Sequence, residues 1–113
     1  MNQAIKERWV NALDSGKYKQ VRGALHNDKG YCCLGVLCDL YIQEHPDNNW
    51  TWEEGRFKFM DECGVLPYTV RKWAGLSVNN PVIQLEDGET SLAGLNDLGR
   101  PFEEIAQIIE EQL

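Results

Sequence analysis

No stretch of this chain approaches the roughly 18 consecutive apolar residues that a membrane-spanning helix needs, and no charged-then-apolar leader opens it. The expectation is a soluble, intracellular protein. Internal repeats and low-complexity linkers are also missing, and 113 residues suffice for one hydrophobic core. One domain is therefore expected over residues 1–113. Cations are scarce: 11 lysines and arginines stand against 18 acids, for a net charge of −7. Such a surface repels phosphate backbones, so nucleic acid is not an expected partner. A DNA mimic is disfavoured as well, because a charge of −7 is modest for that role. The acids gather at Glu86 to Glu89 and in the pairs Glu103-Glu104 and Glu110-Glu111, whereas Lys6, Arg8, Lys17, Lys19 and Arg22 leave a local basic excess near the start.

Metal-ligand spacing is lacking too. Of the four cysteines, two are adjacent, Cys32 and Cys33, with Cys38 five residues on and Cys63 distant. Zinc sites commonly pair Cys-x2–4-Cys with a second such pair. On a helix Cys33 and Cys38 would point about 140° apart. No metal and no cofactor is expected, and the close spacing cannot staple distant segments as disulfides. The run Gly94-Leu95-Asn96-Asp97-Leu98-Gly99 lacks the lysine and the spacing of a phosphate-binding loop, and reads as a turn before the last helix. An Asn-Asp pair there caps or tightens a turn more readily than it binds a ligand.

What is present is helical at both ends. Ile5, Trp9, Ala12 and Leu13 recur at helical spacing over about residues 2–13, and Ser15-Gly16 ends the pattern. Phe102, Ile105, Ala106, Ile109 and Leu113 form a second stripe, with Pro101 fitting the first helical position. Between them, Cys33, Leu34, Val36, Leu37, Cys38, Leu40 and Tyr41 cover most of the circumference of a helix over about 31–44, which ends before Pro46. A helix apolar nearly all round belongs inside a domain. Residues 17–30 suggest a short strand or hairpin, and Arg56 to Met60 fits either a strand or a helix. A short helix runs from Pro67 through Trp73 to Gly75. Val82 to Leu85 reads as a strand, joined through a type I′ turn at Asp87-Gly88 to a partner over 89–92. The fold class is α+β: a compact domain with a buried central helix, terminal helices, and a small antiparallel sheet or hairpins.

Two chemistries compete. If the central helix begins near Cys32 or Cys33, free backbone N–H groups and the helix dipole lower the pKa of a thiol there. This arrangement resembles that of papain-like and NlpC/P60-type cysteine hydrolases, whose nucleophile begins a buried helix, and it implies a hydrolase or transferase using Cys32 or Cys33. The base would be His26, which precedes the cysteine where those hydrolases place histidine later; His45 would lie roughly 18 Å along the helix. The other constellation is aromatic and basic: Trp9, Tyr18, Tyr31, Trp50, Trp52 and Trp73, with Lys19, Arg22 and Arg71. Of these, Trp50 and Trp52 with Arg22 and Arg71 are the candidates to stack a nucleobase and hold a phosphate. Small buried cysteines packing beside Gly35, and tryptophans serving as core or loop anchors, are the commoner uses of these residue types.

The whole pattern resembles a family of small proteins of tailed bacteriophages. It is carried by Trp9-Val10, Leu13 to Gln20, Gly23-Ala24-Leu25, Gly30 to Cys38, Leu66-Pro67, Trp73 to Leu76, and Leu92 to Gly99 followed by Phe102, Ile105, Ala106 and Ile109. No functional residues come with it. The resemblance implies phage or prophage origin and a site of action in the host bacterial cytoplasm. With that origin, the preferred expectation is a non-enzymatic antagonist of a host anti-phage defence pathway. It would sequester a nucleotide-type ligand or occlude a host protein, with a homo-oligomer possible.

Overall fold

The computed structural model describes residues 1–113. Asn2 starts the first helix, α1 (Gln3–Asp14), by accepting the Ile5 N–H on its side-chain oxygen at 2.9 Å. Ser15 ends it and Gly16 turns the chain at φ 74°. Its buried stripe, Ile5, Trp9 and Leu13, is the one the spacing predicts. The last helix, which will be α5 (Phe102–Gln112), lies against α1 and buries Phe102, Ile105, Ala106 and Ile109. Pro101 stands just outside α5 in extended backbone (ψ 156°) rather than at its first helical position, a shift of one residue.

The central helix, α2 (Cys33–Glu44), has Cys32 as its N-cap and buries Cys33, Leu34, Gly35, Val36, Leu37, Cys38, Leu40 and Tyr41. Its all-round apolar surface is matched by neighbours on several sides: α1, α3 (Tyr68–Ala74) and α4 (Leu92–Asp97) all pack on it. Gly35 permits the closest of these approaches. A Cβ there would sit 1.8 Å from the carbonyl oxygen of Leu25, so only glycine lets α2 pass that backbone.

Within and just past residues 17–30, only 26–31 form a hairpin, of two very short strands, β1 (His26–Asn27) and β2 (Gly30–Tyr31). The alternation Val21, Gly23, Leu25 is not a strand. Instead Val21 N–H donates to Tyr31 O at 2.9 Å and Tyr31 N–H to Lys19 O at 2.8 Å, which closes the outer edge of β2. Arg56 to Met60 resolves as strand over β4 (Arg56–Lys58), paired with β3 (Thr51–Glu53). The four strands form an antiparallel sheet in the order β2-β1-β4-β3.

A separate hairpin pairs β5 (Val82–Leu85) with β6 (Gly88–Ser91). Here the turn expectation needs correction. Leu85 pairs with Gly88, so Glu86 and Asp87 form the turn, and of the three only Gly88 has positive φ (142°). The two-residue turn with both φ values positive, which type I′ geometry demands, lies at Glu54-Gly55 (51° and 88°) between β3 and β4. Gln112 of α5 closes the β5 edge with its side-chain amide, accepting from Gln84 N–H and donating to Gln84 O at 2.8 Å each.

The segment before the last helix is also corrected. Residues 92–97 are not a turn but the helix α4, because Ser91 accepts the Gly94 N–H at 3.0 Å as a cap and Leu92 and Leu95 both reach the core. Pro67 likewise caps α3 from outside, and Gly75 ends it at φ 74°. The resulting α+β domain has one apolar cluster of 24 buried residues drawn from every helix.

Candidate functional site

The cysteines meet the chain at the N-terminus of α2, and a buried asparagine organises that point. Asn96 of α4 is fully buried. Its Oδ1 accepts from Cys33 N–H at 3.2 Å and Gln20 Nε2 at 2.9 Å, and its Nδ2 donates to Val21 O at 2.8 Å. Beside it, Asp97 Oδ1 accepts the Gly23 N–H at 3.0 Å, and Trp9 Nε1 donates to Cys33 O at 2.9 Å. Trp9, Gln20, Gly23, Cys33, Asn96 and Asp97 all belong to the pattern quoted above, and they join into one network. They bring α1, the 20–23 segment, α2 and α4 together. The pattern therefore records how the domain is assembled.

The thiols lie inside this junction. Cys32 accepts a bond from Gly35 N–H at 3.4 Å, and Cys33 donates to Leu92 O at 3.5 Å. Burial pushes the Cys32 thiol up to about 11 and holds Cys33 and Cys38 well above the ordinary thiol range. At neutral pH each is protonated, and the thiolate is the nucleophile. No hydrogen bond joins His26 to either thiol: its Nδ1 faces Gly30 O at 2.6 Å. His45 lies at the far end of α2, stacked on Tyr41. The helix start supplies free N–H groups as anticipated, but Asn96 and the Cys32 sulfur take up those of Cys33 and Gly35. Nowhere do three His, Cys, Asp or Glu side chains cluster to hold a metal.

Strand pairing assembles a second constellation. Tyr31 of β2 is opposite His26 of β1, His26 is opposite Phe57 of β4, and Phe57 is opposite Trp52 of β3. Directly opposed residues share a sheet face, so each strand contributes one ring to a single row. The rings are 3.7, 4.3 and 4.9 Å apart, centroid to centroid. His26 is sandwiched, nearly parallel to both Tyr31 (6°) and Phe57 (17°). Tyr18 closes one end edge-on to Tyr31, and Trp52 closes the other edge-on to Phe57. The inner rings thus spend their faces on one another, whereas Trp52 is 51% exposed. Its strand is at the sheet's open edge, with no protein hydrogen bond on its outer side.

Asp39 of α2 fastens this row to the helix. Its carboxylate accepts from Tyr18 Oη at 2.7 Å, Gln43 Nε2 at 3.3 Å and Trp50 Nε1 at 3.3 Å. Burial first, and the Asp39 carboxylate second, raise the pKa of both Tyr18 and Tyr31. Tyr18 and Gln43 also border an open groove of about 400 Å³ between α1 and α2, lined further by Arg8, Ser15, Lys17 and Leu40. Arg8 is engaged there with Glu44 at 2.7 Å.

Among the residues singled out from sequence, His26, Trp50 and Trp52 come together around Phe57. The arginines do not join them. Arg22 lies over Gly99, and Arg71 donates to Leu76 O and Ser77 O beyond α3. Tyr18 and Tyr31, of the same aromatic constellation, join His26, Trp50 and Trp52, and Asp39 and Phe57 complete the site. The alternation of Phe57 with Phe59 and of Trp50 with Trp52 signals the shared face, but which strands are neighbours is visible only in the fold.

Fold and site together define a small α+β domain built round a buried helix, with an aromatic row that ends at an exposed sheet edge. No helix is long and apolar enough to cross a membrane. Over residues 1–113 the chain matches the family described as "Domain of unknown function (DUF8296)", and it belongs to that family. No curated protein and no solved structure matches it.

Proposed function

We propose that this chain is a non-enzymatic binding protein that occludes a protein partner, with Trp52 on the open edge of the sheet as its anchor. The observation that carries the reading is the exposure of Trp52, at 51%, on a strand with no outer partner. Tryptophan is enriched among residues that dominate interface energetics, and an unpaired strand edge offers main-chain groups to an incoming chain. Sequestering a nucleotide would need an open ring face beside a cation. In the aromatic row the inner ring faces are covered, and Arg22 and Arg71 lie away from Trp50 and Trp52, so a protein partner is the favoured form of the binding reading at this edge. The resemblance to tailed-phage proteins makes the partner a component of a host anti-phage defence pathway, met in the bacterial cytoplasm.

The test compares wild type with Trp52→Ala in bacterial lysate, using cross-linking and mass spectrometry, with native mass spectrometry on the purified protein. The expected result is one host protein held in a fixed stoichiometric ratio, lost in the variant while the melting temperature shifts little. Truncating the ring forfeits an edge contact with Phe57 worth about 0.5–1.5 kcal/mol. A retained nucleotide, or turnover abolished by Cys32→Ser in a folded protein, would replace this reading with one of its rivals. Dimerisation through β3, read by sedimentation, would make the partner a second copy of the chain.

A further inference from the structure

A different part of the surface carries a separate site. Arg71, in the last turn of α3, is half-buried and has no carboxylate within ion-pair distance, in a chain with 18 acids. Its Nη1 donates to Leu76 O at 3.2 Å and Ser77 O at 2.8 Å, which occupies both protons of that nitrogen and fixes the guanidinium plane. Its Cζ is 5.0 Å from the centre of the Tyr68 ring, one helical turn back. Nε and Nη2 have no partner in the protein. Those two nitrogens form the side-on fork whose parallel N–H bonds match a carboxylate. Arg71 borders a groove of about 390 Å³ whose exposed apolar lining is Val78 and the ring of Tyr68, over the buried Leu66. Glu62 lines the same groove without a cationic partner.

From this arrangement we infer that the groove binds a polypeptide carboxylate flanked by an apolar side chain, the carboxylate on Arg71 and the apolar group against Val78 and the Tyr68 ring. Glu62 selects the class of ligand. Its negative charge weighs against any anion but more heavily against a phosphate dianion than against a singly charged carboxylate, and its oxygens can accept hydrogen bonds from the main-chain N–H groups that a peptide brings. The carboxylate can be a chain terminus or an acidic side chain, and the chemistry is shared. The site is separate from Trp52, and its test involves no protein partner, so either reading can fail without the other.

The experiment is a titration of the 15N-labelled full chain followed by NMR, reading the Arg71 Nε–Hε resonance and the backbone amides of residues 77–79. The probes are acetyl-Gly-Gly-Leu-Val with a free C-terminus, acetyl-Gly-Leu-Glu-Leu-amide, acetyl-Gly-Gly-Leu-Val-amide without a carboxylate, and inorganic phosphate. A lone subsite of this size should bind one of the two acidic peptides with Kd on the order of 1 mM. Whichever peptide binds identifies the carboxylate source. The uncharged peptide should bind about tenfold more weakly, Arg71→Lys should lose about as much, and Glu62→Gln should tighten the acidic peptide a few-fold. Glu62→Gln keeps the Arg71 bonds intact, so it tests the groove if Arg71→Lys fails to fold. An unmoved Arg71 resonance with both acidic peptides would overturn the inference. Equal binding of the uncharged peptide, or tighter binding of phosphate, would do the same.

Discussion

Replacing Asn96 with alanine should be among the most damaging single changes available outside the apolar core. The substitution strips the acceptor from the buried Cys33 N–H and the donor from Val21 O, whereas Gln20 keeps a second acceptor in Arg100 O at 2.8 Å. Each buried group left unsatisfied costs about 1–3 kcal/mol. The buried Cys33 N–H and the part-buried Val21 O together put the loss at ~2–4 kcal/mol, against a total of about 5–15 kcal/mol for a domain of this kind. Asn80→Ala is the comparison, since Asn80 makes one side-chain bond, accepting from Ala93 N–H at 3.1 Å, and should cost about 1 kcal/mol. The assay is urea unfolding followed by tryptophan fluorescence. With a slope of about 1.5 kcal/mol per molar urea, the Asn96 variant's midpoint should fall by ~1.3–2.7 M and that of Asn80→Ala by less than ~1 M. Equal shifts for the two, or a fall below ~0.5 M for Asn96→Ala, would refute the idea that one amide joins α2, α4 and the 20–23 segment.

Thiol titration gives a second expectation: in the folded protein only Cys63, which is partly exposed, reacts quickly with a disulfide reagent, and all four cysteines react in urea. Rapid reaction of Cys32 would show that the α2 start is open. The same burial makes the fold sensitive to alkali. Cys32 keeps its proton up to about pH 11 in the folded state, and burial raises Cys33 and Cys38 in the same direction, whereas unfolded thiols release their protons near pH 8.5–9. Stability is therefore whole below pH 8.5 and falls as pH rises from 9 to 11, by up to about 1.4 kcal/mol per unit from Cys32, with Cys33 and Cys38 acting in the same direction and Tyr18 and Tyr31 adding to the loss above pH 10. A melting temperature flat from pH 8 to 10.5 would contradict this. Gly35→Ala drives a methyl group into the Leu25 carbonyl, so calorimetry should show a loss of ~3 kcal/mol or more, or no folded protein at all. Glu54→Asn relieves a left-handed residue at φ 51° and should raise stability by about 0.5–1 kcal/mol, while Asp87→Asn, at negative φ, should not.

Much of the scaffold was legible because it is written in local periodicity. The 3.6-residue recurrence places α1 and α5, and the all-round apolar run of 33–41 already implies a helix with neighbours on every side. Where local signals misled, a nearby competitor won. Asp87-Gly88 has type I′ chemistry, yet the strand register moved the turn one residue earlier. Gly94 and Gly99 suggested a turn, yet the Ser91 cap and the burial of Leu92 and Leu95 hold a helix.

By itself, then, the sequence determined that there is a buried central helix between two amphipathic ones, and that its cysteines are spaced for neither zinc nor disulfides. Only the tertiary structure decided what those cysteines and aromatics do. Asn96 reaches Cys33 across 63 positions and Gln20 across 76. The aromatic row exists because strand pairing brings Tyr31, His26, Phe57 and Trp52 onto one face. Periodicity governs neighbours within a turn or a strand, whereas these contacts depend on which segments pair and in what register, and that is fixed by the packing of the whole core.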